Sequence, residues 1–243
     1  MRGRGGETER RLLNVVDMTR SLLLAAALLT LPQLPTAHAQ GAPRVVVVGD
    51  SHVERLGPMI ARRAEAAGLE SAGWLSRRGW STRRYVREGD LAARLEEVGR
   101  PEIVVVSLGG NDRPRDLERY RRDLSWIVAQ ARAAGGERIL WLGPAASDAS
   151  RGPRAEATGR WHERNADLQA ELVPTLGVTW IDSRPATHEG HGRDGIHFTG
   201  RGYVGWADHA ALFHDEDEGA PVTDALASHR ASGATEAAAL PHG

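Results

Sequence analysis

The sequence contains no cysteine and no lysine. Without cysteine no disulfide can form and no lipid can be carried on an N-terminal thiol, so the folded part has to be held by its apolar core alone. Without lysine there is no Schiff base and no serine–lysine dyad; all 31 basic residues are arginine. They offset 32 acidic residues to a formal net charge of −1, so overall charge gives no argument for binding nucleic acid or another polyanion. Long apolar runs are scarce as well: Ser21 to Leu31 is too short to span a bilayer comfortably.

That run follows Arg20 and leads to Ala37-His38-Ala39, a small-x-small cleavage site. The pattern predicts a secretory signal peptide over 1–39, cut before Gln40, with Met18 as an alternative start. A periplasmic or secreted protein without a stable membrane anchor is expected, a retained signal anchor being the alternative. One folded domain is expected over 40–214. From 215 to 243 the composition turns to Asp, Glu, Gly, Ala, Pro, Ser and His without apolar periodicity, which predicts a disordered tail.

Within the domain, β-branched and apolar runs alternate with amphipathic stretches. Strands are expected at Arg44 to Val48, Leu69 to Leu75, Glu102 to Leu108, Arg138 to Gly143 and Gly177 to Asp182. Helical stripes run through Val53, Leu56, Ile60 and Ala64; Leu91 to Val98; Leu117, Tyr120, Leu124 and Ile127; Trp161, Asn165, Leu168 and Leu172; and Tyr203, Trp206, Ala210 and Phe213. This alternation calls for an α/β fold: a five-stranded parallel sheet with helices on both faces, the three-layer α/β/α flavodoxin-like architecture.

Three loops carry the chemistry. Gly49-Asp50-Ser51-His52 follows a buried strand and precedes a helix, which lifts Ser51 to the carboxyl edge of the sheet, where open α/β folds place their active sites. Gly109-Gly110-Asn111-Asp112 follows another buried strand, and an asparagine there can aim an amide N–H at an oxyanion. Asp194-Gly195-Ile196-His197 puts a carboxylate and an imidazole on one rim. A serine hydroxyl near neutral pH needs a base such as histidine, and the histidine needs a partner to fix its tautomer. His52 is the rival base, but a residue next to Ser51 at a helix start should point elsewhere and support the pocket. Asp50 can stiffen the turn by accepting backbone hydrogen bonds. His188 and His191 match no metal-binding spacing, and neither a metal nor another cofactor is expected.

These three blocks resemble those of the SGNH/GDSL hydrolases, a family of serine esterases, lipases and acyl-modifying enzymes. The resemblance covers residues 44 to 213 and implies strand order 2-1-3-4-5. It implies Ser51 as nucleophile, His197 as base and then acid, and Asp194 as its orienting carboxylate. It also implies an oxyanion hole from the Ser51 amide, a glycine amide and the Asn111 side chain. Gly79, after the second strand, is the glycine expected to serve, with Gly73 as the alternative.

No apolar collar suited to long acyl chains is evident, so short acyl groups, acetyl above all, are expected on a small ester or an acylated glycan. Acyl transfer to a glycan hydroxyl and a non-catalytic glycan-binding module are the alternatives. Arg77, Arg78, Arg83, Arg84 and Arg87, interleaved with Trp74, Trp80 and Tyr85, either lie on solvated faces or grip a polyanionic or glycan substrate, and Arg113 and Arg115 could share their rim.

Overall fold

The computed structural model describes residues 41–210. The signal peptide expected over 1–39 and the tail expected over 215–243 lie outside the described residues, as does Phe213. Five strands form one parallel sheet: β1 (Arg44–Gly49), β2 (Glu70–Ser76), β3 (Ile103–Ser107), β4 (Arg138–Leu142) and β5 (Thr179–Ile181). Their spatial order is β2-β1-β3-β4-β5. The chain therefore reverses direction across the sheet between β1 and β3, and a crevice opens at the carboxyl ends of those two strands.

The alternation of side chains along each strand divides the interior in two. Val45, Val47, Val105, Leu140 and Leu142 pack against α1 (Val53–Ala66) and α6 (Gly200–His209), meeting Leu56, Ile60, Tyr203 and Trp206. Val46, Val48, Val104, Val106 and Trp141 pack on the other face against α2 (Thr82–Glu88), α3 (Leu91–Glu97) and α4 (Leu117–Ala133). Leu168 and Leu172 of α5 (Pro153–Leu172) cover the same face. Because both sheet faces are covered, the central strands are apolar at consecutive positions instead of every second one. Each fully buried Val, Leu or Ile contributes roughly 1.5–3 kcal/mol, which is how a domain without disulfides holds together.

Two elements depart from the sequence reading. The arginine-rich segment after β2 forms α2, a helix absent from the apolar pattern because it buries only Thr82 and Tyr85. Its ends are nonetheless marked: the Ser81 hydroxyl accepts from the Arg84 amide, and Gly89 closes the helix in the left-handed conformation. The inward face of α5 is broader than the expected stripe: Asn165, Leu168 and Leu172 do face the sheet, but the buried residues are Ala155, His162, Asn165, Ala166 and Gln169. Three of those five are polar, and their partners lie in the site.

Candidate active site

Ser51 occupies the turn between β1 and α1, where the Asp50 amide donates to the Ser107 carbonyl at 3.3 Å and ties the turn to the end of β3. Its Oγ lies 3.0 Å from His197 Nε2, across 146 positions of sequence. On the far side of the ring, His197 Nδ1 meets Asp194 Oδ2 at 2.6 Å. A carboxylate only accepts, so the ring proton sits on Nδ1 and Nε2 is left to accept the Ser51 hydroxyl. Asp194 Oδ1 meanwhile accepts the amides of Ile196 at 3.1 Å and His197 at 3.0 Å, so one carboxylate fixes both the loop and the ring. Burial pushes the Asp194 carboxyl upward, but the His197 bond and the two amides outweigh it and hold the group at about 2.

The first of the two residues between them has to be glycine. Gly195 has φ +67°, and a Cβ there would come within 2.6 Å of the Asp148 carbonyl and 2.8 Å of Ala155 Cβ. The loop is pinned on both flanks: the Asp148 amide donates to Gly195 O at 2.8 Å, and the Gly192 amide to His197 O at 2.6 Å. The Thr199 hydroxyl then caps α6 by accepting from the Gly202 amide.

Asp50 and His52, read from sequence as supports, are both buried. Asp50 Oδ1 accepts the His52 amide at 3.0 Å, and Oδ2 accepts Asn111 Nδ2 at 2.9 Å. His52 turns its ring away from the serine: Nδ1 meets the Tyr203 hydroxyl at 3.2 Å, and the ring lies 5.0 Å from that of His197 and 5.4 Å from that of Trp206. Burial, and then the neighbouring His197, push the His52 pKa well below the usual imidazole range. A neutral His52 lets His197 accept a proton without a second cation against its ring.

Asn111 differs in detail from the sequence expectation. Both hydrogens of its Nδ2 have acceptors, Asp50 Oδ2 at 2.9 Å and the Trp80 carbonyl at 3.2 Å. The longer bond to Trp80 is the one an oxyanion would have to replace. Asp50 fixes the amide, and burial raises its carboxyl to about 7. Folding therefore binds a proton at Asp50 between the ordinary value of 3.8 and about 7. The sign is definite: this group's contribution to stability is full below about pH 4 and is lost as pH rises through about 7. His52 and His162, kept neutral by burial, act in the opposite sense below their ordinary value of 6.5. The contribution is isolated by comparing chemical unfolding of the native chain with Asp50→Asn. From pH 4 to pH 8 the native chain should lose stability relative to the variant, whereas a constant difference would place the carboxyl's pKa outside that window.

The Gly109 to Asp112 loop is held by side chains to which the sequence reading gave no part in the site. Asn165 Nδ2 donates to the carbonyls of Gly109 at 2.8 Å and Asp112 at 3.0 Å. Gln169 Nε2 donates to Leu108 O at 3.2 Å and to the Tyr120 hydroxyl at 2.8 Å, while its Oε1 accepts from Trp141 Nε1 at 3.1 Å. His162 Nδ1 meets the Ala145 carbonyl at 2.7 Å. Asp112 turns inward and accepts the Thr82 amide at 2.8 Å, the Thr82 hydroxyl at 2.9 Å and the Tyr120 hydroxyl at 3.2 Å. The available signal was polar residues at positions 162, 165 and 169, one helical face of α5.

The two candidate glycines part company. Gly73 lies inside β2, paired with Val46 at a register shift, three residues short of the Gly49–Ser76 pair at the sheet edge. Gly79 lies beyond that edge, in the turn closed by Trp80 N to Arg77 O at 3.0 Å, next to the carbonyl that Asn111 touches. His191 is taken up by the Ala146 carbonyl at 3.0 Å and by the Phe198 ring at 4.5 Å.

A flavodoxin-like sheet in this strand order, with a hydrogen-bonded serine, histidine and aspartate at its carboxyl edge, is the architecture of an SGNH-type serine acylhydrolase. The chain belongs to the GDSL-like lipase/acylhydrolase family, whose model matches residues 36–204. No curated protein matches it by sequence. Solved structures with the same fold include the lipase/acylhydrolase of Enterococcus faecalis, at 20% identity and TM-score 0.55, covering 70% of this chain and 95% of that one. The aryl esterase of M. smegmatis aligns at 17% identity and TM-score 0.55, covering 70% and 97%. Est24, a carbohydrate acetylesterase of Sinorhizobium meliloti, aligns at 16% identity and TM-score 0.54, covering 76% and 99%.

Proposed function

We propose that this GDSL-type esterase is exported and hydrolyses short-chain esters, chiefly O-acetyl groups on carbohydrate, through an acyl-serine intermediate. The observation that carries the reading is the unbroken chain from Ser51 Oγ to His197 to Asp194, with bonds of 3.0 and 2.6 Å. Ser51 Oγ attacks the ester carbonyl as its proton passes to His197 Nε2. The imidazolium, steadied by Asp194, protonates the leaving alcohol as the C–O bond breaks. Water then gives its proton to His197 and attacks the acyl-serine; collapse returns the proton to Ser51 and releases the acid. The amides of Ser51 and Gly79 and the Asn111 side chain are the donors for the oxyanion.

Two observations favour a short acyl group. The large apolar side chains left exposed among the described residues, Trp74, Leu117 and Val204, stand on three different elements and make no collar. The carbohydrate acetylesterase of Sinorhizobium meliloti shares the fold. Export rests on the sequence pattern of residues 1–39. The intact triad favours catalysis over a binding module.

The test is turnover of p-nitrophenyl acetate, butyrate and octanoate by the chain from Gln40. kcat/KM should fall from acetate to octanoate, and a rise with chain length would overturn the short-acyl reading. Asn111→Ala should lower kcat by roughly a hundredfold to a thousandfold. An unchanged kcat would remove Asn111 from the oxyanion hole.

A further inference from the structure

A second cleft lies behind Asn111. It has a volume of about 390 Å³, and arginines form much of its wall: Arg83, Arg113, Arg115 and Arg119, beside Asn111 and Ser81. That size admits a sugar unit. Asn111 is the shared partition, with its amide on Asp50 beside the nucleophile and its residue also lining the cleft.

The charge in the cleft is unevenly spent. Three carboxylates also line it. Asp112 is buried and saturated by Thr82 and Tyr120, Asp123 is buried against Arg83 at 3.2 Å, and Asp116 caps α4 by accepting the Arg119 amide at 3.0 Å. Arg113 has no carboxylate partner among the described residues. Its Nη1 donates to the Gly110 and Asp112 carbonyls, and its guanidinium lies 5.2 Å from the Trp161 ring centroid, which fixes the group and leaves its other donors available. Arg115 and Arg119 are exposed and make no ion pair among the described residues. The arginines of the neighbouring segment are engaged, by contrast: Arg78 pairs with Glu54, Arg84 and Arg87 reach Glu88, and Arg77 and Arg84 lie over Trp80. A fixed guanidinium and two unpaired ones lining one cleft, against the single exposed carboxylate of Asp116, make a site for an anion with several oxygens.

We infer that this cleft binds a carboxylate or phosphate on the alcohol half of the ester, so that the substrates are acyl esters of acidic saccharides. The inference rests on the esterase reading above. An acetyl group is too short to extend past Asn111, so a charge held in the cleft belongs to the alcohol.

Calorimetric titration of the chain from Gln40 with trigalacturonate, glucose 6-phosphate and neutral xylotriose tests it without requiring turnover. At least one of the two anions should bind about tenfold more tightly than xylotriose, as expected for charge-assisted hydrogen bonds, and the one preferred identifies the anion. The preference should shrink as salt is raised and disappear in the double variant Arg115→Gln/Arg119→Gln. Equal binding of charged and neutral saccharides, or a preference that survives both salt and the double variant, overturns the subsite. Turnover of p-nitrophenyl acetate separates the two ideas: activity without anion preference removes the subsite alone, and anion preference without activity keeps the anion site but removes the esterase reading and with it the assignment of the anion to an ester's alcohol.

Discussion

Ser51→Ala should lower kcat/KM for p-nitrophenyl acetate by about 10⁴- to 10⁶-fold, leaving the rate that the oxyanion donors and binding supply on their own. The hydroxyl removed is the one 3.0 Å from His197 Nε2, and no neighbouring group can replace it. His52, the adjacent imidazole, is turned onto Tyr203, and the chain has neither cysteine nor lysine. His197→Ala should cost a similar factor, because an unactivated hydroxyl is a poor nucleophile near neutral pH. The double variant should be hardly slower than either single one, since the two groups act as a unit. Steady-state kinetics on the three variants, with circular dichroism to establish folding, decides the matter. A folded Ser51→Ala protein that keeps a tenth of the native rate would mean that another group attacks the ester.

Gly49→Ala should be the most damaging change at the sheet edge. A Cβ at Gly49 would run into the Ser107 carbonyl and come within 2.7 Å of Val53 Cγ2, and neither is the free end of a flexible side chain. Gly49 pairs with Ser76 on one side and Ser107 on the other, while its carbonyl accepts from the Arg77 amide and the Tyr85 hydroxyl. The strands cannot separate to admit a methyl group without giving up those bonds. The expected cost is on the order of 3 kcal/mol or more, which lowers the melting temperature by roughly 10 °C in a domain of this size. Thermal unfolding measures it directly. A native melting temperature together with native activity would show that this edge is compliant.

The contrast between these two sites and α5 shows what the sequence made legible. Arg44 to Val48 and Glu102 to Leu108 announce central strands because a strand covered on both faces must be apolar at consecutive positions. The strands fix where Ser51 and Asn111 stand, and Asp-x-x-His supplies the rest of the triad. The inward face of α5 was legible only at Asn165, Leu168 and Leu172, because hydrophobic periodicity assumes that what is buried is apolar. His162, Asn165 and Gln169 are buried to satisfy carbonyls and hydroxyls that β3, β4 and the loops after them would otherwise leave unpaired. Helix α2 went unread for a related reason, since its arginines answer to Glu88, Asp123 and the face of Trp80 instead of a core. The twist of Asn111 toward Asp50 had no signal in composition. It depends on a carboxyl that burial has made hard to ionise.

The triad draws on opposite ends of the described domain, with Ser51 ahead of the first helix, His197 just before the last, and those two helices packed together. During synthesis the nucleophile emerges long before its base, which is held by Asp194 in the loop just ahead of the Thr199 cap of α6. A chain stopped between the end of β5 at Ile181 and residue 197 contains all five strands and the serine, yet it lacks the imidazole that would activate it. Activation of the serine therefore depends on residues supplied by both ends of the described domain, and no contiguous half of it carries the whole triad.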